Sequence, residues 1–379
     1  MLLFIFGTRP ESIKLAPLIK KFQEDKKFNV KVCVTAQHRE MLDQFIEFFQ
    51  IKPDYDLNIM KSNQSLFDIT TDGLKNLEKV IKTCKPDIIF IQGDATSAFV
   101  GALAGFYNKI KVAHIEAGLR SHNKYSPFPE EINRTLISHL SDYHFAPTQR
   151  AKQNLINQGI KENIYVVGNT VVDALLLILK VIKNNPVIEK QIENYFNETM
   201  PSFHSLIANH SRIILVTIHR REIFGRPLKD ICLALKEIAK REDVKIIYPV
   251  HLNPNVKEVA FGILNNVENI YLTQPIDYLH FIWLIDKCYL ILTDSGGIQE
   301  EAPSFGKPVL VLRNVTERVE GIEVGVARLI GTNKEKIIDE VVRLVNSKEE
   351  YNKMAKPVNP YGDGKSSERI KDIIGRLSL

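Results

Sequence analysis

The sequence predicts an α/β protein made of two doubly wound domains with a cleft between them. Short apolar, β-branched runs alternate with helical patterns, the signature of βαβ units and parallel sheets. These runs fall into two sets of six. The chain has 379 residues, too many for one ordinary core but a comfortable fit for two domains of roughly 150–200 residues each.

The first set of strands is Leu2–Phe6, Val30–Thr35, Ile88–Gln92, Val112–Glu116, Tyr143–Ala146 and Ile164–Val167. The second is Ile213–His219, Val244–Pro249, Ile270–Thr273, Tyr289–Thr293, Pro308–Leu312 and Ala327–Ile330. Between them, Pro10 suits a first helical position, where its missing N–H costs nothing. Gln64–Cys84 carries a long apolar periodicity. The boundary is expected at Gly168-Asn169, giving domains 1–168 and 169–364, with a helix in 365–379 folding back onto the first. Asn185–Ser211, polar and holding Pro186 and Pro201, reads as an irregular insertion. Turn formers crowd Asn359-Pro360-Tyr361-Gly362-Asp363-Gly364.

Composition narrows the function classes. Fifty basic against 45 acidic residues leave a net charge of +5, too mild and too scattered for a nucleic-acid surface. No apolar run approaches the roughly 18 residues of a membrane span. The opening Met1–Gly7 lacks a basic n-region and reads as a strand, not a signal peptide. Cys33, Cys84, Cys232 and Cys288 are far apart and form no C-x-x-C pair, so they read as core side chains in a reducing, cytoplasmic compartment. No ligand cluster calls for a metal.

In doubly wound sheets, ligands gather at the carboxyl ends of the strands. After the first strand, Gly7-Thr8-Arg9-Pro10 leads into a helix; its N–H groups, with Arg9 and Lys14, offer an anion site. No G-x-G-x-x-G follows, so a dinucleotide fingerprint is missing. Asp94 follows the third strand and can be a catalytic carboxylate or simply a helix cap. Glu116 ends an apolar strand, where burying a carboxylate is costly unless it is paired or functional. Glu130 and Glu131 follow; each can also be helix decoration near a positive helix end. Carboxylates from these strand ends are expected to converge on one cleft. His219, beside Arg220 and Arg221, is a candidate ligand contact. Thr293-Asp294-Ser295-Gly296-Gly297 runs from strand to helix, so Ser295, Gly296 and Gly297 can bring N–H groups to a pyrophosphate, with Glu301 reaching the ribose hydroxyls.

At these residues the chain resembles a known family. FGTRPESIKLAPLI, TAQHREMLDQ, HIEAGLRS, SPFPEEINR, GNTVVDAL, HRRE, YPVHLNPNV, TDSGGIQEEAPSFGKPVLVLR and NPYGDG closely resemble the non-hydrolysing bacterial UDP-N-acetylglucosamine 2-epimerases, in order over nearly the whole chain. The resemblance implies two Rossmann-like domains in the glycosyltransferase-B-like arrangement, a homodimer, and interconversion of UDP-N-acetylglucosamine with UDP-N-acetylmannosamine for surface polysaccharide synthesis. It puts Asp94, Glu116, Glu130 and His219 at catalytic positions. Arg9, Lys14, Phe281, Ser295, Gly296, Gly297, Glu301 and Arg318 fall where UDP is gripped, Phe281 through its backbone. Gln44 and His251 become candidates for a second, activating UDP-N-acetylglucosamine. The chain departs from the family pattern at Gln92-Gly93-Asp94-Ala95-Thr96, where HGDTT is usual, and at Ile223, Ile276 and Val315–Gly321.

The chemistry fits those residues. No carbonyl acidifies the hydrogen on carbon 2 of this sugar, so either oxidation next door with NAD or elimination of UDP must open the way. The dinucleotide fingerprint being missing, elimination to a glycal and re-addition is expected, without added cofactor. It needs a base on one face, an acid on the other and stabilisation of departing UDP, with the domains closing to exclude water.

Overall fold

The computed structural model describes residues 1–35, 48–59, 64–200, 203 and 212–377. These form two compact units: Met1–Ala174 together with Tyr361–Leu379, and Leu175–Pro360. Each is a parallel sheet interleaved with helices, the predicted fold class. Among the described residues no helix is long and apolar enough to cross a membrane.

The first sheet has strands β1 (Leu2–Phe6), β2 (Val30–Val34), β3 (Tyr55–Asp56), β4 (Ile88–Gln92), β5 (Lys111–Ile115), β6 (Tyr143–Ala146) and β7 (Ile164–Val166). Its order is β3-β2-β1-β4-β5-β6-β7, all parallel. β1 and β4 are buried along their whole length, because helices cover both faces of a parallel sheet; all their side chains are apolar but Gln92 at the end of β4. Phe4 stacks on Phe90 with ring centroids 4.6 Å apart. The seventh strand, β3, was not expected. Its two residues lie on the sheet edge and carry no apolar run, so nothing in their pattern marks them.

The second sheet contains β8 (Arg212–Thr217), β9 (Val244–Pro249), β10 (Ile270–Thr273), β11 (Leu290–Thr293), β12 (Val309–Val311) and β13 (Ala327–Leu329). Its order is β10-β9-β8-β11-β12-β13. In each sheet the order reverses between two central strands: β1 and β4 in the first, β8 and β11 in the second. That is the topological switch point, where helices leave on opposite faces and a crevice opens beyond the strand ends.

The expected irregular insertion at 185–211 is corrected over its first half, which is the helix Pro186–Thr199. Asn185 caps it by accepting from the N–H groups of Val187 and Ile188, and Pro186 stands at the first helical position. A proline there starts a helix instead of breaking one. Ile192 and Phe196 are buried, and Phe196 stacks on Trp283 at 5.4 Å.

The last helix, Ser366–Arg376, is tied to the first unit. The buried Asp173 carboxylate accepts from the N–H groups of Ser366 at 3.2 Å and Ser367 at 2.7 Å, across some 190 residues of sequence. Lys371 adds an ion pair with Asp25 at 3.3 Å.

His114 on β5 and His144 on β6 are cross-strand neighbours and both buried. Burial pushes His114 down to about 3 and His144 down to about 4, from an ordinary 6.5. Both therefore stay neutral in the fold at pH values where the unfolded chain takes up protons. Their contribution is intact above about pH 6.5 and drains as pH falls toward 4. His144→Asn is expected to recover about 2 kcal/mol of the stability lost by pH 4.5, flattening melting temperature against pH between 6.5 and 4.5. An unchanged slope would rule His144 out as a source of acid lability.

Candidate functional site

In the first unit, β1 ends at the switch point in Gly7 and Thr8. A Cβ on Gly7 would lie 2.0 Å from Thr35 Oγ1, so any side chain there would have to displace Thr35, just past the end of β2. The buried Glu11 carboxylate organises this turn by accepting from Gly7 N–H (3.0 Å), Thr8 N–H (2.8 Å) and the Ser97 hydroxyl (2.8 Å). Burial raises the Glu11 carboxyl above its ordinary value, against the pull of these donors. Arg9 begins the helix Arg9–Gln23 and is half-buried.

Glu116 follows β5 in the left-handed region, at φ 66°, uncommon for a residue with a side chain. It is buried. Its Oε1 accepts from Lys14 Nζ at 2.6 Å and from Asn169 Nδ2 at 3.0 Å, and its Oε2 accepts from Gln92 Nε2. Lys14 thus meets a carboxylate of its own unit. Asn169 reaches the site from the start of helix Thr170–Asn184, where its Oδ1 also accepts from Val171 N–H at 3.0 Å.

Asp94 follows β4. Its Oδ2 accepts from Arg134 Nε and pairs with the Nη2 of the same guanidinium, both at 2.6 Å, and its carbonyl accepts from Asn133 Nδ2 at 2.9 Å. It makes no cap bond to the following helix, Thr96–Tyr107, whose N-cap is Ala95. Arg134 and Asn133 lie on helix Glu130–Leu140, so the helix that Glu130 opens is fastened to Asp94. Glu130 is half-buried, and its carboxylate makes no hydrogen bond or ion pair among the described residues. Glu131 differs: it is buried and accepts from Ser121 N–H (2.9 Å) and His122 N–H (3.0 Å), which makes it a loop anchor.

In the second unit, His219 follows β8 and Asp294 follows β11, the two strands of that switch point. Asp294 is buried; its Oδ2 accepts from the N–H groups of His219 and Arg220 at 2.8 Å, and its Oδ1 lies 3.0 Å from His219 Nδ1. Burial opposes ionisation of Asp294, but His219 and the two N–H groups outweigh it and hold the carboxyl below its ordinary value. This contact fixes the imidazole while leaving His219 part exposed, with its other ring nitrogen free of the carboxylate. His251 lies beside it, ring centroids 6.1 Å apart, and burial holds it below its ordinary value.

Ser295 precedes the short helix Gly296–Glu301. A Cβ on Gly296 would lie 3.0 Å from the Arg318 guanidinium carbon, so the missing side chain lets a cation lie across the helix start. Arg318 is itself held by Glu300, at 2.9 Å from Nη2. Glu301 is buried and accepts from the Tyr278 hydroxyl at 2.9 Å. Behind them, Arg313 pairs with Glu222 at 2.7 Å and Glu317 at 3.0 Å. Burial works against ionisation of Glu317, but Arg313 and Arg318 take it down to about 2. Phe281 sits in the first turn of helix Tyr278–Lys287, its N–H donating to the Asp277 carbonyl at 2.9 Å. Gln44 lies outside the described residues.

Sequence reading missed the partners more than the principals. Asn169, Arg134, Asp294 and Glu11 all stand inside motifs that were noticed, but a motif does not say which side chains touch. The one available signal was Asp294, an acid at a strand end next to a glycine turn.

The family model for UDP-N-acetylglucosamine 2-epimerase matches residues 20–375. A UDP-N-acetylglucosamine 2-epimerase of Salmonella typhimurium is 51% identical over 100% of this chain and 99% of its own length. That of Escherichia coli O157:H7 is 48% identical over 100% and 99%. The crystal structure of the Neisseria meningitidis UDP-GlcNAc 2-epimerase bound to UDP-GlcNAc superposes with a TM-score of 0.91, at 48% identity, covering 99% of this chain and 100% of that one. The Methanocaldococcus jannaschii enzyme in complex with UDP-GlcNAc and UDP gives 0.82 at 38% identity, covering 99% of both chains.

Proposed function

The chain belongs to the UDP-N-acetylglucosamine 2-epimerase family, and from that premise we propose that it inverts carbon 2 of UDP-N-acetylglucosamine to give UDP-N-acetylmannosamine, reversibly, by elimination and re-addition of UDP. The observation that carries this reading is the pair of carboxylates at adjacent strand ends, Asp94 held by the Arg134 guanidinium and Glu116 held by Lys14 and by the side-chain amides of Asn169 and Gln92.

A carboxylate takes the proton from carbon 2; the C–H electrons form the carbon 1–carbon 2 double bond, and the carbon 1–oxygen electrons leave with UDP. Return of a β-phosphate oxygen to carbon 1, with protonation of carbon 2 from the opposite face, completes the inversion. Asp94, Glu116 and Glu130 share the acid–base work. Charge growing on UDP is met by Arg9, His219, Arg318 and the N–H groups of Ser295, Gly296 and Gly297, with Glu301 on the ribose. The family resemblance supports a cytoplasmic homodimer that serves surface polysaccharide synthesis, and a UDP-N-acetylglucosamine activator near His251.

Proton NMR of the purified protein with UDP-N-acetylglucosamine in deuterated water tests the mechanism. Deuterium at carbon 2 of both nucleotide sugars is the expected result. Build-up of free UDP and N-acetylmannosamine would move the chain to a hydrolysing epimerase, and sugar turnover without deuterium uptake would sink the proton-transfer step.

A further inference from the structure

We propose that Asn169 and Gln92 are positioning residues for this reaction: neutral amide donors that hold the two oxygens of Glu116 so that it faces the substrate as an oriented carboxylate. The proposal rests on the reading of Glu116 as an acid–base group. Three observations carry it. Asn169 Nδ2 bonds Oε1 at 3.0 Å and Gln92 Nε2 bonds Oε2, so one amide addresses each oxygen. The two donors come from separate elements, the end of β4 and the start of helix Thr170–Asn184, so they fix both position and rotation of the carboxylate. Glu116 also sits at φ 66°, a backbone state that aims its side chain away from the ordinary strand direction.

The amide chemistry is what matters. Lys14 alone, at 2.6 Å from Oε1, supplies charge but swings on a flexible stem and does not fix a plane. Two amides on opposite oxygens do. Asn169 is itself fixed, because its Oδ1 caps Val171 N–H and its backbone N–H donates to the Tyr361 carbonyl at 2.6 Å. The turn that ties the C-terminal segment to this unit is therefore the same turn that steadies Glu116.

The test uses the full chain with Asn169→Asp and Gln92→Glu, each alone and each combined with Glu116→Gln. Asn169→Asp keeps an oxygen to cap Val171 but turns the donor facing Glu116 into a repelling carboxylate. Each single variant is expected to lose on the order of 10- to 100-fold in kcat, with KM and UDP Kd within about twofold. In the Glu116→Gln background the same changes are expected to cost less than about threefold, because no carboxylate remains to be aimed. Equal losses in both backgrounds would overturn the positioning role and leave Glu116 in place as an acid–base group. Wild-type kcat in Glu116→Gln alone would remove that reading, and the proposal with it. Should Asn169→Asp fail to fold by circular dichroism, Gln92→Glu decides by the same comparison.

Discussion

Glu116→Gln, Asp94→Asn and Glu130→Gln are each expected to lose at least about 100-fold in turnover, the scale of a lost acid–base group, while UDP still binds within a few-fold. The three losses have different origins. In Glu116→Gln the new carbonyl oxygen can keep Lys14 and Asn169, but the new NH2 group then meets the Gln92 NH2, so Gln92 must turn over to accept. Asp94→Asn takes from the Arg134 guanidinium the nearer of its two carboxylates, leaving it Glu131 at 3.3 Å. Glu130→Gln disturbs no hydrogen bond among the described residues, so its loss would report proton transfer most cleanly. The nucleotide is proposed to rest on Ser295, Gly296, Gly297, Glu301 and Arg318, which belong to the other unit. Steady-state kcat and calorimetric titration of UDP check both halves of the expectation. Full turnover in any one variant removes that residue from the acid–base set, and loss of UDP binding alongside turnover would mean the variant had damaged more than chemistry.

The fold was legible because a parallel sheet covered on both faces must be apolar along each strand, and runs such as Leu2–Phe6 and Ile88–Gln92 announce it. The exceptions are physical too. β3 is two residues on an edge, where pairing needs no apolar pattern. Helix Pro186–Thr199 hides because its exposed face is polar and its proline sits at the start, where it looks like a breaker. Site legibility ran along the same line. Asp94, Glu116 and His219 stand out as candidates because a polar group next to an apolar strand is conspicuous. Their holders do not: that Asn169 reaches Glu116, or Asp294 reaches His219, depends on crossovers of 53 and 75 residues. The residue pattern alone left Glu130 and Glu131 alike, and the family resemblance singled out Glu130; the contacts agree in making Glu131 a loop anchor, while the Glu130 carboxylate has no hydrogen bond or ion pair among the described residues.

Gly118→Ala is expected to cost more than about 3 kcal/mol of stability, a large part of the roughly 5–15 kcal/mol that holds a typical domain folded. Gly118 holds φ 91°, and a Cβ there would lie 2.1 Å from the Ala151 carbonyl oxygen and 2.7 Å from its carbon. Both are backbone atoms of helix Gln149–Asn157, so no rotamer change relieves the clash. The helix must move as a body, and it is already fixed to the same turn by the Asn154 Nδ2 bond to the Gly118 carbonyl at 2.9 Å. Gly159 is the internal control. Its φ of 87° is nearly the same, but nothing lies within 4 Å of its Cβ position, so Gly159→Ala should cost only about 1–2 kcal/mol, the price of the left-handed backbone alone. Chemical denaturation of the two variants separates backbone strain from crowding. Similar losses at both positions would mean that helix Gln149–Asn157 gives way easily. In that case the turn that follows β5 is soft, and Glu116, two residues before Gly118, owes its orientation to its side-chain donors and not to the backbone beneath it.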